Sequence, residues 1–293
     1  MSSLLCEPET SPEQAAMDAG RTIGVFDSGF GGLTVLRALI ERIPQARFAF
    51  LGDTARLPYG SKSRRTIARY AVQSAQFLVR EQGAEFLVIA CNTASALALD
   101  AIQDAVPVPV LGVIEPGSSA ARDASRSGDV LVIATDATVQ SHAYAAACRA
   151  LGLRALEKAC PLLVPLVEEG WTDHPVTAEV IRIYLDELNA EAAAQGLKPD
   201  TLLLGCTHYP LLRPLIELAV PAGMRVIDSA DAAADAAARV FGTQGTEKRS
   251  LAAQAPAVQI RCFATDSVEK FARLGSRFLG RPVGKVELVD LGG

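Results

Sequence analysis

The chain has 293 residues, of which 49% are hydrophobic, 21% are charged and 5% are aromatic. This length predicts either two domains or one large α/β domain with a sizeable core. Lysine and arginine number 28 against 33 aspartates and glutamates, so the formal net charge is −5. Because nucleic acids and anionic membranes are bound by basic surfaces, this balance argues against both as partners.

The sequence carries no sign of export or of membrane insertion. Its apolar runs fall short of the roughly 18 residues that a membrane-spanning helix needs. Residues 1–20 lack the basic start and apolar core of a secretory signal, so we expect them to form a flexible extension. The six cysteines contain no CxxC pair and lack the density of a secreted disulfide scaffold. A cytoplasmic location is therefore expected.

The histidines do not indicate a metal site. His142, His174 and His208 are widely spaced along the chain. The one close Cys/His pair, Cys206 with His208, lacks the second matching pair that a structural zinc site requires. No metal ion is therefore expected.

Short apolar strands alternate with helical stretches from residue 22 onward. Strands are predicted at residues 22–27, 47–52, 86–90, 108–114, 130–134, 201–205, 224–228, 257–263 and 286–288. Helices are predicted at residues 33–42, 61–82, 93–106, 135–151, 176–195, 230–241 and 267–279. An irregular, proline-containing stretch is expected at 161–169 and a surface loop at 242–256. This alternation predicts an α/β fold with mainly parallel sheets.

Two segments of the chain share one pattern. Residues 86–102 read FLVIACNTASALALDAI, and residues 201–216 read TLLLGCTHYPLLRPLI. Each is an apolar strand that ends in a small residue, followed by a cysteine, a polar pair and a helix. Since ligands of open α/β sheets bind at the carboxyl ends of strands, we predict two similar halves that each present a cysteine to a ligand. The alternative is a chance likeness between two ordinary strand–turn–helix units.

Both cysteines of this pattern, Cys91 and Cys206, lie where a helix begins. The unpaired N–H groups and the dipole of a helix stabilise a thiolate at that position. The alternative for either residue is a buried cysteine that only fills space. Two facing cysteines allow a redox disulfide or a pair of acid/base groups on opposite faces of a substrate. The sequence lacks the CxxC signature of redox pairs, whereas an acid/base pair needs one thiolate and one thiol at the same moment.

Polar residues flank both cysteines in a way that suits acid/base chemistry. Asp27 ends the first strand before a glycine-rich turn, and His208 follows the second cysteine by two residues. In this interpretation the carboxylate tunes one thiol and the imidazole exchanges protons with the other. The alternatives are a turn or cap residue at 27 and an exposed loop residue at 208. Asn92, Thr93 and Thr207 are short donors that either hold a substrate or cap helices.

The first strand and turn also suggest a dinucleotide-binding unit, because acidic Asp53 closes the next strand. The glycines, however, are Gly29, Gly31 and Gly32, which is not the G-x-G-x-x-G spacing. Asp27 would also place a negative charge where the pyrophosphate should lie. The nucleotide interpretation is therefore disfavoured.

Six blocks of sequence together resemble the glutamate racemases. They read IGVFDSGFGGLTVLRAL at 23–39, FLGDTARLPYGSKS at 50–63, ACNTASALAL at 90–99, GVIEPG at 112–117, ACPLLVPLVEEG at 159–170 and LLLGCTHYPLL at 202–212. The resemblance runs from about residue 22 to about residue 230. It implies a cofactor-independent enzyme that interconverts L- and D-glutamate and supplies D-glutamate for peptidoglycan.

The resemblance also implies roles for individual residues. Cys91 would take the α-proton from D-glutamate and Cys206 would take it from L-glutamate. Asp27 would assist Cys91, His208 would assist Cys206, and Glu168 would support His208. The blocks that contact substrate in the family correspond here to Asp27, Ser28, Pro58, Tyr59, Gly60, Asn92, Thr93, Thr207 and His208.

The expected architecture is a pair of pseudo-symmetric α/β domains with the active site in the cleft between them, and a homodimer. The first domain would comprise residues 21–113 plus 226–293, and the second residues 114–225. Two positions depart from the common family pattern, Ala134 where glycine is frequent and His142 where a small residue is frequent. The alternatives are a two-cysteine racemase for aspartate or hydantoins, or a non-catalytic binding protein on the same scaffold.

Overall fold

The computed structural model describes residues 20–240 and 258–292, so residues 1–19 and the predicted loop at 242–256 lie outside it. This described part of the chain contains ten strands and eleven α-helices, besides three short 3₁₀ helices. The strands are β1 (Thr22–Asp27), β2 (Arg47–Gly52), β3 (Phe86–Ile89), β4 (Val110–Gly112), β5 (Asp129–Ala134), β6 (Arg154–Ala159), β7 (Thr201–Gly205), β8 (Arg225–Asp228), β9 (Ile260–Ala264) and β10 (Val286–Leu288). The helices are α1 (Leu33–Arg42), α2 (Arg64–Arg80), α3 (Asn92–Ala105), α4 (Ile114–Ala124), α5 (Asp136–Ser141), α6 (Ala143–Ala150), α7 (Leu163–Glu168), α8 (Pro175–Ala194), α9 (Arg213–Ala219), α10 (Ser229–Val240) and α11 (Val268–Leu279).

Six parallel strands form the first sheet, in the order β10-β9-β2-β1-β3-β4. The inner strands β1 and β3 are almost wholly apolar because helices cover both faces of a parallel sheet. Asp27 pairs with Gly52, and Phe26 pairs with Ile89. The residues that follow β1 and β3 therefore leave the sheet at the same edge.

Four parallel strands form the second sheet, in the order β6-β5-β7-β8. Ala134 at the end of β5 pairs with Gly205 at the end of β7, so the loops after these strands also share an edge. Strand β8 pairs with β7 and belongs to this second sheet. The predicted domain boundary between residues 225 and 226 thus falls inside β8, and the division into domains stays a prediction.

The second sheet contains the main differences from the predicted elements. Strand β6 was not predicted, because its sequence RALEKA mixes charged and small residues, as an edge strand permits. The helix predicted over 135–151 is divided at His142, which has a left-handed backbone with φ of 53°. The stretch 161–169, expected to be irregular, contains the short helix α7.

The chain passes between the two sheets twice within its described part. It leaves the first sheet after β4 through α4, and it leaves the second sheet after β8 through α10. Helix α10 packs against α1 of the first sheet and against α4. Below, the first unit means the six-stranded sheet with its helices, and the second unit means the four-stranded sheet with its helices. No helix in residues 20–240 or 258–292 combines the length and the apolar character needed to cross a membrane.

Candidate active site

Cys91 emerges from β3 and caps helix α3. The backbone N–H of Ala94 donates to its Sγ at 3.5 Å, and the thiol lies 3.4 Å from Oγ of Ser28. Only 5% of the residue is exposed. Burial, together with the charge of Asp27, raises the pKa of Cys91 to about 12. The resting group is therefore a thiol, although hydrogen bonds from its neighbours moderate the shift.

Asp27 ends β1 and is almost completely buried. The N–H of Gly29 donates to its Oδ2 at 2.9 Å, while Oδ1 has no hydrogen-bond partner among the described residues. Burial raises the pKa of this carboxyl, and the positive charge of His208 opposes the shift. The turn fits closely around the carboxyl, because a Cβ at Gly32 would lie 2.6 Å from the Cβ of Asp27. One carboxyl oxygen is thus left for a ligand or a proton.

Cys206 follows β7 and begins a chain of ionisable side chains. Its Sγ lies 3.9 Å from Nδ1 of His208, and Nε2 of the same ring lies 3.4 Å from Oε1 of Glu168. On the far side, Nζ of Lys270 lies 3.3 Å from Oε2 of Glu168. The structure therefore brings Cys206, His208 and Glu168 together, as the resemblance implies, and adds a lysine from α11.

His208 and Glu168 shift each other's pKa. Burial alone lowers the pKa of His208, but its contacts with Cys206 and Glu168 outweigh that effect and raise the pKa to about 10. Burial likewise raises the pKa of Glu168, but its ion pair with His208 and the charge of Lys270 leave the pKa below its ordinary range. His208 is therefore an imidazolium at neutral pH, held between Cys206 and the carboxylate of Glu168.

The loops that follow β1 and β7 touch each other. The hydroxyl of Thr34 donates to the backbone carbonyl of Thr207 at 3.2 Å. A Cβ at Gly31 would overlap Oγ1 of Thr207 and lie 2.6 Å from Nδ1 of His208. Only glycine permits this approach, which places the Asp27 turn of the first unit against the His208 loop of the second.

Three threonine hydroxyls form a cluster between the two units. Oγ1 of Thr93, which follows Cys91 in α3, lies 2.9 Å from Oγ1 of Thr135 and 3.1 Å from Oγ1 of Thr138. Thr135 and Thr138 follow β5 and are not among the site residues predicted from the sequence. A signal for them was present, because ATDATV leaves the end of a parallel strand just as the cysteine loops do.

In the Pro58–Gly60 segment, the hydroxyl of Tyr59 is not free to bind a ligand. Tyr59 is buried, and its Oη donates to Oδ2 of Asp53 at 2.5 Å. Gly60 faces the threonine cluster, because a Cβ there would lie 3.4 Å from Cβ of Thr135. The bond between Leu57 and Pro58 is cis. Thus Gly60 lies at the site, whereas the Tyr59 hydroxyl is already engaged.

Asn92 completes the set of predicted residues around Cys91. Its Oδ1 accepts a hydrogen bond of 2.6 Å from Oη of Tyr144 and lies 3.5 Å from Oγ of Ser229. Its Nδ2 is buried and has no acceptor among the described residues. Nowhere in residues 20–240 and 258–292 do three or more His, Cys, Asp or Glu side chains form a cluster that could hold a metal ion.

Known proteins are similar to this chain in sequence and in fold. A family model described as Asp/Glu/Hydantoin racemase matches residues 23–237. A protein of Koribacter versatilis named glutamate racemase is 54% identical over 288 residues, covering 92% of this chain and 98% of the relative. The chain belongs to the glutamate racemase family. This membership confirms the resemblance drawn from the six sequence blocks.

Solved structures of the family share the fold. Glutamate racemase isoform RacE1 of Bacillus anthracis has a TM-score of 0.82 and 35% identity, covering 92% of this chain and 98% of that one. The glutamate racemase of Francisella tularensis, solved in complex with D-glutamate, has a TM-score of 0.80 and 34% identity over 93% of this chain and 98% of that one. The predicted α/β fold with mainly parallel sheets is thereby confirmed.

Proposed function

We propose that the enzyme interconverts L-glutamate and D-glutamate without a cofactor, with Cys91 and Cys206 as the two acid/base groups. The observation that carries this proposal is the placement of the thiols. Each follows an inner parallel strand of its own sheet, and each is at most 6% exposed. Each also has its own ionisable neighbour, Asp27 for Cys91 and His208 for Cys206. Unequal surroundings separate the titrations of two thiols, as an acid/base pair requires.

The proposed reaction removes the proton from one face of Cα and delivers a proton to the opposite face of the same carbon atom. From L-glutamate, the Cys206 thiolate takes the α-proton, and the Cys91 thiol gives its proton to the opposite face of Cα. The electron pair left on Cα forms the new C–H bond, so the products are D-glutamate, a Cys206 thiol and a Cys91 thiolate. The reverse reaction exchanges the two roles. The pKa of about 12 suits Cys91 to start as the proton donor.

Other residues of the site support these steps. Asp27 exchanges protons with Cys91, and His208, held by Glu168, exchanges protons with Cys206. The amide of Asn92 and the hydroxyls of Thr93 and Thr207 bind the polar groups of glutamate. Because the α-proton is poorly acidic, these fixed dipoles must stabilise the negative charge that develops on the substrate in a water-poor site.

The product has one evident use in a bacterial cell. D-Glutamate made in the cytoplasm supplies the synthesis of peptidoglycan, and the family membership of the chain supports this role. A strain that requires D-glutamate for growth should grow without it when it carries this gene. The same gene with Cys91→Ala should fail to restore growth, and restoration by that variant would favour a non-catalytic role.

The mechanism is tested by racemisation in deuterated water. The wild type should exchange the α-proton of both glutamate enantiomers with inversion, whereas Cys91→Ala and Cys206→Ala should not racemise. Cys262→Ala is the matched control, because Cys262 is equally buried but lies in β9 and should leave racemisation unchanged. Near-normal racemisation in Cys91→Ala or Cys206→Ala would overturn the two-thiol mechanism. A wild type that exchanges aspartate and not glutamate would overturn the substrate assignment alone.

A further inference from the structure

Tyr144 connects the neighbours of both cysteines. It lies in α6 of the second unit and is completely buried. Its Oη donates to Oδ1 of Asn92 at 2.6 Å, and Asn92 is the residue directly after Cys91. Its ring lies against Gly205, the residue directly before Cys206, since a Cβ at Gly205 would lie 2.9 Å from Cε2 of Tyr144. One side chain of the second unit therefore reaches the loops of both thiols.

Gly205 and Gly117 pack closely against the ring of Tyr144. A Cβ at Gly205 would be too close to the ring, so only glycine leaves the required space. On the other side, a Cβ at Gly117 of α4 would lie 3.4 Å from Cε1 and 3.5 Å from Oη. The hydroxyl is consequently held at one point, directed at the amide of Asn92.

The hydrogen bond fixes which end of the Asn92 amide lies next to Tyr144. An asparagine amide has an accepting end and a donating end, and its environment selects between the two orientations. The end next to Tyr144 is the oxygen, which accepts from the Tyr144 hydroxyl and also lies 3.5 Å from Oγ of Ser229. The Nδ2 group is then left buried and without an acceptor among the described residues. Buried donors are rarely left unpaired, so this group calls for an acceptor brought by a ligand.

We propose that Tyr144 is a positioning residue, whose hydroxyl orients Asn92 so that Nδ2 donates to a carboxylate of the substrate. The inference rests on the proposed function, because the ligand in question is glutamate. Without the Tyr144 hydroxyl, only the longer contact of 3.5 Å with Oγ of Ser229 holds the oxygen of Asn92. The amide then turns over more readily and presents its oxygen to the carboxylate, which repels it. Tyr144 then acts on substrate binding only through Asn92 and has no part in proton transfer.

A double-mutant cycle tests this dependence. Tyr144→Phe removes only the hydroxyl, and we expect it to raise KM for both enantiomers about 5- to 10-fold, the effect of one hydrogen bond, while kcat stays within about twofold. Asn92→Ala should raise KM at least as much. In the Asn92→Ala background, Tyr144→Phe should raise KM no further, because its effect passes through the missing amide. If the increases in KM caused by Tyr144→Phe and Asn92→Ala multiply in the double variant, the proposal is overturned. An unchanged KM in Tyr144→Phe would also overturn it.

Tyr209→Phe is the matched control for the loss of a buried hydroxyl. Tyr209 is also completely buried, but its Oη donates to the backbone carbonyls of Ala134 and Cys160. Whatever the effect of Tyr209→Phe on KM, this effect should multiply with the effect of Asn92→Ala. The melting temperature of every variant verifies that it is folded. A Tyr209→Phe effect that also vanishes in the Asn92→Ala background would show that the cycle does not isolate the Tyr144 contact, and would overturn the inference.

Asn92→Asp supplies a test that does not depend on the folding of Tyr144→Phe. It keeps an oxygen for the Tyr144 hydroxyl but replaces the donating NH₂ group with a negatively charged oxygen. We expect KM to rise more than about 10-fold for both enantiomers, and an unchanged KM would overturn the proposal.

The failure of the proposed function and the failure of this inference give different results. A wild type that does not act on glutamate overturns the proposed function itself. If the wild type is active on glutamate and Tyr144→Phe leaves KM unchanged, only the role of Tyr144 is overturned.

Discussion

The Cys91 thiol lies between two neighbours that act on its pKa in opposite directions. The negative charge of Asp27 raises that pKa, whereas the hydrogen bond with Ser28 lowers it. We therefore expect Asp27→Asn to lower the pKa of Cys91 and Ser28→Ala to raise it. The pH dependence of alkylation by iodoacetamide, followed on the Cys91 peptide by mass spectrometry in a Cys206→Ala background, measures both shifts. Shifts of the same sign in both variants would show that one of the two neighbours does not act as described.

Single residues were predictable from the sequence where a motif marks them. Cys91 and Cys206 share a strand–cysteine–helix pattern, and the structure places both at the ends of inner strands. Thr138 is marked only by the loop that follows β5, and Tyr144 carries no mark, because a hydroxyl residue inside a helix looks like any other polar or amphipathic position. Their roles depend on contacts with Thr93 and Asn92 in the other unit, which only the tertiary structure reveals.

At the scale of elements, the ion pairs of Glu168 with His208 and with Lys270 join the end of β7 to α7 and α11. The pKa of His208 is about 10 in the folded protein against an ordinary 6.5, so the folded state binds this proton more tightly. The resulting stabilisation is complete below about pH 6.5 and is lost as the pH rises through about 10. We expect the melting temperature to fall between pH 7 and pH 10 by at least about 5 °C more in the wild type than in His208→Asn.

His142→Asn is the control for this comparison. His142 has an exposed side chain, and asparagine tolerates its left-handed backbone. Its pH dependence should follow that of the wild type. Equal losses of melting temperature in the wild type and His208→Asn would contradict the protonated state assigned to His208.

The contact between the β1 and β7 loops gives a second prediction at this scale. Gly31→Ala would force apart the Asp27 turn and the loop of Thr207 and His208. Because displacements of about 1 Å at reacting groups cost roughly 100-fold in rate, we expect kcat/KM for glutamate to fall about that much while the protein remains folded. Gly20→Ala serves as the control, because its Cβ would meet no atom within 4 Å. Activity near that of the control would show that the two loops need not touch.

Elements were predictable wherever the apolar pattern was continuous, as in β1, β3, β5 and β7. These strands are buried on both faces, so burial dictates their sequence. The edge strand β6 is only half-buried along most of its length and therefore lacks this signature. The division of the predicted helix at His142 depends on one residue with a left-handed backbone, which no periodicity signals.

The whole molecule depends on how the two units meet, and helix α10 is central to that contact. It begins directly after β8 of the second unit and packs against α1 of the first. Arg42 of α1 binds the carboxylate of Asp235 in α10 at 2.6 Å. Small side chains let two helices approach closely, and α10 presents buried alanines along its length. The orientation of the two cysteine loops is thereby tied to the packing of these helices.

Enlarging one of these alanines should disturb both stability and activity. Ala234 is completely buried, so Ala234→Leu should cost about 1–3 kcal/mol of unfolding free energy. The same overpacking should displace the two units and lower kcat/KM for glutamate. Ala236→Leu on the same helix is the control, because Ala236 is half-buried and its variant should stay within about 0.5 kcal/mol of the wild type. Urea unfolding measures the free energies. If Ala234→Leu matched Ala236→Leu in both stability and kcat/KM, the packing of α10 would not set the geometry between the units.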